Sequence, residues 1–365
     1  MSPAGSSATA SGSVASGPAG SGPADSSPAV SSSAASSPAA SSPAASSPAA
    51  SSSADSSPTA LPGTAVEPLQ YAVPGTGGVG PAGAVGAIER VLLNGFDPEA
   101  APARSAVPVP AGELLLMPAA AGPYAGVKIA GVAPANPERG LPRITGSYLL
   151  LDGPTLQPLA LLDGAALTAL RTPAVTAAAL RRLAAPEARH LVLFGSGPQA
   201  YGHLDALLAV RPLSRLTVVA RHAGRAEALA AYGQGLGLAA AVGGPEAVAE
   251  ADLVVCCTTA RTPLFDGALV PAHAAVAAVG SHDPDAREVD GTLVGRAELY
   301  VEARSVAARE AGDLLLAGVA GRQVWNLAEL VRGDALVPDG RPRFFKSVGM
   351  AWEDLAIAAE VYRRA

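Results

Sequence analysis

Between Leu191 and His203 the chain reads L-V-L-F-G-S-G-P-Q-A-Y-G-H, and no other run constrains the fold as much. The apolar residues Leu191, Val192, Leu193 and Phe194 have the length and branching of a buried parallel strand, and Leu204, Leu207 and Leu208 then follow at helical spacing. The strand must therefore break into a helix through Gly195-x-Gly197-x-x-Ala200. Gly195 permits the tight turn and Gly197 lets the backbone approach a pyrophosphate. Small Ala200 lets helix and strand pack closely, with the helix N-terminus facing the phosphates. The run predicts a dinucleotide site, with Pro198 and Gln199 among its contacts.

Beyond this turn the pattern alternates. Strands are expected over 216–220, 239–242, 253–257, 275–279 and 298–301, and helices over 223–235 and 245–250. Such alternation predicts an α/β fold, a Rossmann-type doubly wound parallel sheet spanning 179–318. Upstream, a helix over 79–94, strands over 114–117, 126–132, 147–151 and 159–162, and a helix over 164–184 predict a second α/β domain across 66–178. The segment 319–365 is helical in pattern at both ends and too long for a sheet appendage, so it is expected to fold back on that second domain. Residues 1–65 are nearly all Ser, Ala, Pro and Gly, with repeated S-S-P-A-A units. They carry too little apolar bulk to offset the entropy of ordering, which predicts a disordered tail.

Composition excludes several classes. No apolar run reaches membrane-spanning length, and a net charge of -6 with dispersed acids provides no basic footprint for nucleic acid. No Lys or Arg precedes Arg90 and no apolar h-region is present, which argues against a targeting signal. The two cysteines, Cys256 and Cys257, are adjacent on an expected strand and point to opposite faces. Neither a disulfide framework nor a metal site is implied, and a reducing cytoplasm is the expected compartment. Among 25 Lys and Arg residues only Lys128 and Lys346 are lysines. Lys128 lies in Gly126-Val-Lys-Ile-Ala-Gly131 on an expected strand, where an unpaired ammonium is costly, so a paired or functional role is expected. Lys346 is expected to snorkel.

The strand after the glycine turn ends in Ala220, Arg221 and His222, where an NAD-selective site places an acid for the ribose hydroxyls. An arginine there suits a 2′-phosphate, which favours NADP over NAD, although a solvated strand-end arginine reads the same way. Thr258 and Thr259 close another strand at the edge where the cofactor is expected.

From about Tyr71 to the C-terminus the chain resembles the ornithine cyclodeaminase and mu-crystallin family. The resemblance rests on separated blocks: Leu167-Thr-Ala-Leu-Arg171-Thr172, Gly195-Ser-Gly-Pro-Gln199-Ala, Ala251-Asp-Leu-Val-Val-Cys-Cys-Thr-Thr259, Val279-Gly-Ser-His-Asp-Pro-Asp-Ala-Arg-Glu288, Glu310-Ala-Gly-Asp313 and Phe345-Lys-Ser-Val-Gly-Met-Ala-Trp-Glu-Asp354. It implies a Rossmann domain plus a second domain that binds substrate and forms homodimers, with a nicotinamide held between them over a small amino or imino acid. It further implies that Arg104, Lys128 and Arg171 grip the substrate carboxylate. The cofactor contacts implied are Arg171, Thr172, Val279, Gly280, Ser281, Ser347 and Gly349. The physical logic agrees, because an anionic substrate needs cations converging from separate elements and an arginine fork suits a carboxylate.

One position departs from the cyclodeaminating members. Their aspartate two residues after the Val-Gly glycine, which handles proton transfer, is here His282, and Asp283 is displaced by one residue. The chain is therefore more similar to the ketimine reductases, which implies NADPH-dependent hydride transfer to the C=N carbon of a cyclic imino acid such as Δ1-pyrroline-2-carboxylate or Δ1-piperideine-2-carboxylate. Lys128 or His282 is the candidate proton donor. Three rivals share this machinery: a cyclodeaminase making proline and ammonia with bound NAD, an amino acid dehydrogenase, and a binding protein that has lost turnover.

Overall fold

The computed structural model describes residues 70–71 and 78–365, so the expected tail over 1–65 lies outside the described residues. Two sheets organise the remainder. The first has six strands: β1 Gln70–Tyr71, β2 Ser105–Val109, β3 Gly112–Ala121, β4 Tyr124–Val132, β5 Ile144–Asp152 and β6 Pro158–Asp163, in the order β1-β6-β5-β4-β3-β2. Strands β2 to β6 run antiparallel and β1 joins β6 in parallel. β2 has no counterpart among the expected strands. Four of its five residues are exposed and Pro108 removes a ladder donor, so no alternation marks this edge strand in the sequence.

Met117, Lys128, Tyr148 and Leu162 are paired across successive strands and share the buried face. Two helices cover that face, α2 Gly164–Leu183 and, from the end of the chain, α9 Ala351–Arg364, and α1 Pro81–Leu93 packs on both of them. The Asp163 side chain starts α2 by accepting hydrogen bonds from the amides of Ala165 (2.8 Å) and Ala166 (3.1 Å). Pro173 lies inside this helix, and Gly202 of the helix after the glycine turn packs against it: a Cβ at Gly202 would meet Pro173 Cγ at 2.9 Å.

The second sheet has eight parallel strands: β7 His190–Phe194, β8 Arg215–Val219, β9 Ala239–Val242, β10 Leu253–Cys256, β11 Ala275–Ala278, β12 Glu298–Val301, β13 Val324–Asn326 and β14 Arg343–Lys346. Their order is β13-β12-β14-β11-β10-β7-β8-β9, flanked by α3 Pro198–Leu208, α4 Ala223–Gly235, α5 Gly291–Arg296, α6 Arg304–Glu310, α7 Gly312–Leu315 and α8 Leu327–Arg332. This is the expected doubly wound architecture, with 245–250 as a 3-10 rather than an α-helix. The chain leaves β7 for β8 on one side and returns to β10 on the other, so the topological switch lies at the carboxyl ends of β7 and β10.

The segment after Gln323 corrects the expectation that 319–365 returns as a unit. β13 and β14 belong to the parallel sheet, β14 between β11 and β12, and only α9 packs on the first sheet. Arg343-Phe-Phe-Lys346 hides its strand character behind two charges, both of which are buried and bonded. Arg343 donates to the carbonyls of Leu183 (2.8 Å) and His273 (2.6 Å).

Candidate active site

The carboxyl ends of β7, β10, β11, β12 and β14 meet at one edge of the parallel sheet. At Gly195 the chain takes φ +107, and a Cβ there would lie 2.5 Å from the Cys257 carbonyl, so only glycine lets β7 turn this close to β10. Gly197 caps α3 without a side chain, and nothing lies within 4 Å of where its Cβ would be. At the start of α3, Pro198 has no N–H and the Ala200 amide donates to the Gly197 carbonyl (2.9 Å), while the buried Gln199 Oε1 has no hydrogen-bond partner. The space left at Gly197, a close-approach glycine and an orphaned amide oxygen fit a dinucleotide phosphate and its adjoining groups. Pro198 forms the first turn of α3. Ala220, Arg221 and His222 follow β8, with Arg221 and His222 exposed and His222 at the start of α4. Behind the turn, buried His203 joins α3 to α2 through Thr176 Oγ1 (3.0 Å) and lies 2.7 Å from the Gln199 carbonyl; burial lowers its pKa to about 4, so the ring is neutral.

Buried carboxylates build the rest of this edge. Glu288 accepts from the Thr258 amide (2.8 Å), the Thr258 hydroxyl (2.7 Å) and the Gly280 amide (2.7 Å), tying the ends of β10 and β11 together. Burial raises its carboxyl to about 7, against the pull of Lys346 and these donors. Thr259 is exposed, whereas the Val279 amide is taken up by the Cys256 carbonyl (3.0 Å). Lys346 does not snorkel. It is fully buried, donates to the Ser281 carbonyl (2.7 Å) and pairs with Asp313 (3.0 Å). Asp313 in turn accepts from the amides of Glu288 (2.7 Å) and Val289 (3.0 Å). Glu302, just past β12, accepts from Ser347 Oγ (2.6 Å) and the amides of Val348 (2.8 Å) and Gly349 (2.9 Å), which fixes the turn between β14 and α9.

The three expected carboxylate-binding cations converge on that turn. Arg104 reaches it from the segment before β2 and donates to the carbonyls of Val348 (3.2 Å) and Gly349 (3.3 Å), and it also pairs with Glu310. Arg171, buried on α2 beside Thr172, donates to Glu353 at 2.6 Å. Gly349, at φ +80, lies so close that a Cβ would meet Arg171 Nη1 at 2.6 Å and Nη2 at 2.8 Å. Lys128, buried on β4, donates to Asp354 at 2.7 Å and to Thr168 Oγ1 at 3.2 Å. Burial lowers the Lys128 pKa, Asp354 raises it and Arg171 lowers it, with a net shift downward. Burial and then Glu302 push Glu353 well above the usual carboxylate range, against the attraction of Arg171. Tyr148 Oη and Glu353 Oε1 are buried around the same turn without a hydrogen-bond partner, and Arg171 Nε and Asp354 Oδ1, likewise without one, face each other as an ion pair at 3.7 Å, as in a site built to bind a further polar group.

Sequence reasoning named these cations but assigned no role to Glu288, Glu302, Asp313, Glu353 or Asp354. The available signal, for Asp313, Glu353 and Asp354, was their position inside otherwise apolar or glycine-rich stretches. His282 is exposed on the loop after β11, which places it less favourably than buried Lys128 for proton donation. Asp283, one residue further, is engaged by Arg261 at 3.1 Å. Among the described residues no cluster of three or more His, Cys, Asp or Glu side chains is arranged to hold a metal ion, and no helix is long and apolar enough to cross a membrane.

Comparison with known proteins agrees with this geometry. The model of the ornithine cyclodeaminase/mu-crystallin family matches residues 88–365. A Delta(1)-pyrroline-2-carboxylate reductase 2 of Burkholderia ambifaria is 38% identical over 257 residues, covering 70% of this chain and 82% of that protein. The solved structure of Thermococcus litoralis Delta(1)-pyrroline-2-carboxylate reductase in complex with NADH and L-proline is 29% identical, with a TM-score of 0.72 over 78% of this chain and 93% of that one. An archaeal alanine dehydrogenase dimer with bound NAD gives a TM-score of 0.73 at 28% identity, over 77% of this chain and 90% of that one. The chain belongs to the ornithine cyclodeaminase/mu-crystallin family.

Proposed function

We propose that this protein is an NAD(P)H-dependent reductase of a small cyclic imino acid of the Δ1-pyrroline-2-carboxylate or Δ1-piperideine-2-carboxylate type. The observation that carries the reading is the convergence of Arg104, Lys128 and Arg171 on the 347–354 turn, at the carboxyl edge of a dinucleotide-binding sheet. The names of the reductases it resembles support the substrate class.

The residues divide the work. Gly195, Gly197 and the first amides of α3 would hold the pyrophosphate of the dinucleotide, and Thr258, Gly280 and Ser281 line the same edge, held in place by Glu288 and Lys346. When bound, the reduced nicotinamide supplies the hydride. Arg104 and Arg171 orient the substrate carboxylate by charge-assisted bonds, which fixes the C=N carbon and provides much of the rate by positioning. Lys128 Nζ, an ammonium whose pKa burial lowers, gives a proton to the imine nitrogen and makes its carbon more electrophilic. A cyclodeaminase needs an acid at position 282, and His282 in that place disfavours that reading.

Two finer points belong to the same proposal. Arg221, exposed past the end of β8, favours NADPH by pairing with its 2′-phosphate. The outer face of the first sheet favours a homodimer. Val107, Leu114 and Ile129 are 44%, 38% and 45% exposed there on adjoining strands, while helices cover the opposite face. The free thiols Cys256 and Cys257 suit the reducing cytoplasm.

The test is product analysis. Δ1-pyrroline-2-carboxylate with NADPH should yield proline and oxidised cofactor, faster than with NADH, and Arg221→Ser should narrow the difference. Proline and ammonia from ornithine without imine reduction would overturn the assignment.

A further inference from the structure

Every cation at the substrate site already has a carboxylate partner. Lys128 has Asp354, Arg171 lies between Glu353 and Asp354, and Arg104 has Glu310. An incoming carboxylate that takes up the same donors competes with one of these acids, and the pairs differ sharply in burial. The side chains of Lys128 and Asp354 are 5% and 0% exposed, and those of Arg171 and Glu353 are 9% and 0% exposed. Arg104 and Glu310 are 19% and 21% exposed. Separating a buried pair strands a charge away from water, whereas a pair that reaches solvent separates at little cost.

The supporting structure points the same way. Asp354 and Glu353 are fixed in the first turn of α9, with the helix body packed behind them. Glu310 is the last residue of the seven-residue helix α6, and Arg104 is its one hydrogen-bond partner among the described residues. Arg104 is also anchored to the carbonyls of Val348 and Gly349, so the guanidinium keeps its place when the carboxylate leaves.

We propose that Glu310 is the displaceable counter-ion of the substrate site: its carboxylate holds Arg104 between turnovers and yields that position to the carboxylate of the incoming imino acid. One carboxylate leaves the guanidinium as another arrives, so the charge at Arg104 stays balanced throughout. The exchange makes Glu310 an internal competitor that sets substrate affinity. Molecules that lack a carboxylate cannot displace it, which sharpens selection for imino acids over neutral imines. The inference rests on the carboxylate-gripping role proposed above for Arg104.

The experiment compares wild type, Glu310→Gln and Glu310→Asp by steady-state kinetics with Δ1-pyrroline-2-carboxylate and by calorimetric titration with L-proline, the expected product. Glu310→Gln should lower KM for the imine and Kd for L-proline about twofold to fivefold, the range set by the small worth of a partly exposed ion pair. The change should fall on KM rather than kcat, and Glu310→Asp should restore wild-type values. Unchanged or raised KM and Kd in Glu310→Gln overturn the proposal, a rise meaning that Glu310 orients Arg104 instead. A wild type that neither reduces the imine nor binds L-proline removes the functional reading itself, and the inference with it.

Discussion

Lys128 donates to the carboxylate of Asp354 in a place water hardly reaches, and the chemistry proposed for the site depends on that balance. Replacement by Met should lower kcat about 10²–10⁴-fold, the usual contribution of a positioned acid. The pH dependence follows from the direction of its shift. The donor must be protonated, so kcat holds at low pH and falls as pH rises through the Lys128 pKa. Burial lowers that pKa, with Arg171 adding to the effect, so the alkaline limb should lie below the ordinary lysine range. Asp354 opposes the shift, so Asp354→Asn should move the limb to still lower pH in a kcat profile; an unmoved limb would remove Lys128 as the titrating group. Lys128 was legible in the sequence because an ammonium in an apolar block needs a reason, and Arg104 and Arg171 were named through the family resemblance. Their partners were not, since nothing in a Glu-Asp pair opening a helix shows that the helix end is buried. Glu302 and Glu288 escaped for the same reason: only the folded sheet brings their acceptor atoms to the amides of loops far away in sequence.

Among the elements, the β14-to-α9 turn matters most to the site and was the least legible. The four-residue apolar run of β7 and the glycines after it announce a strand and a helix from pattern alone. β14 is four residues long with a charge at each end, and its place between β11 and β12 comes from strand pairing rather than local pattern. The turn it feeds has no spare room. Gly349→Ala would put a methyl within 2.6–3.1 Å of the Arg171 guanidinium at a backbone φ of +80. The left-handed backbone alone costs about 1–2 kcal/mol, and displacing Arg171 should raise KM for the imino acid by more than tenfold. A thermal melt and a kinetic comparison check the two parts separately; an unaltered KM would contradict the role of Arg171 at this turn.

For the whole molecule, the two sheets divide the labour, one providing the dinucleotide edge and the other Lys128. The first sheet buries the face bearing Lys128 and leaves apolar residues on the other. If that outer face is the homodimer contact, sedimentation should show a wild-type dimer and a monomer for Leu114→Glu/Ile129→Glu; a wild-type monomer would contradict it. The proposed function has three converging cations select the substrate by its carboxylate. It is tested most directly by the rate of NADPH oxidation with Δ1-pyrroline-2-carboxylate and with Δ1-pyrroline, the same ring without the acid, in wild type and Arg171→Ala. Charge-assisted bonds from these cations predict a preference for the acid of roughly a thousandfold in kcat/KM, most of it lost in the variant. Equal rates on the two imines in the wild type would mean that these cations do not select the substrate by its carboxylate.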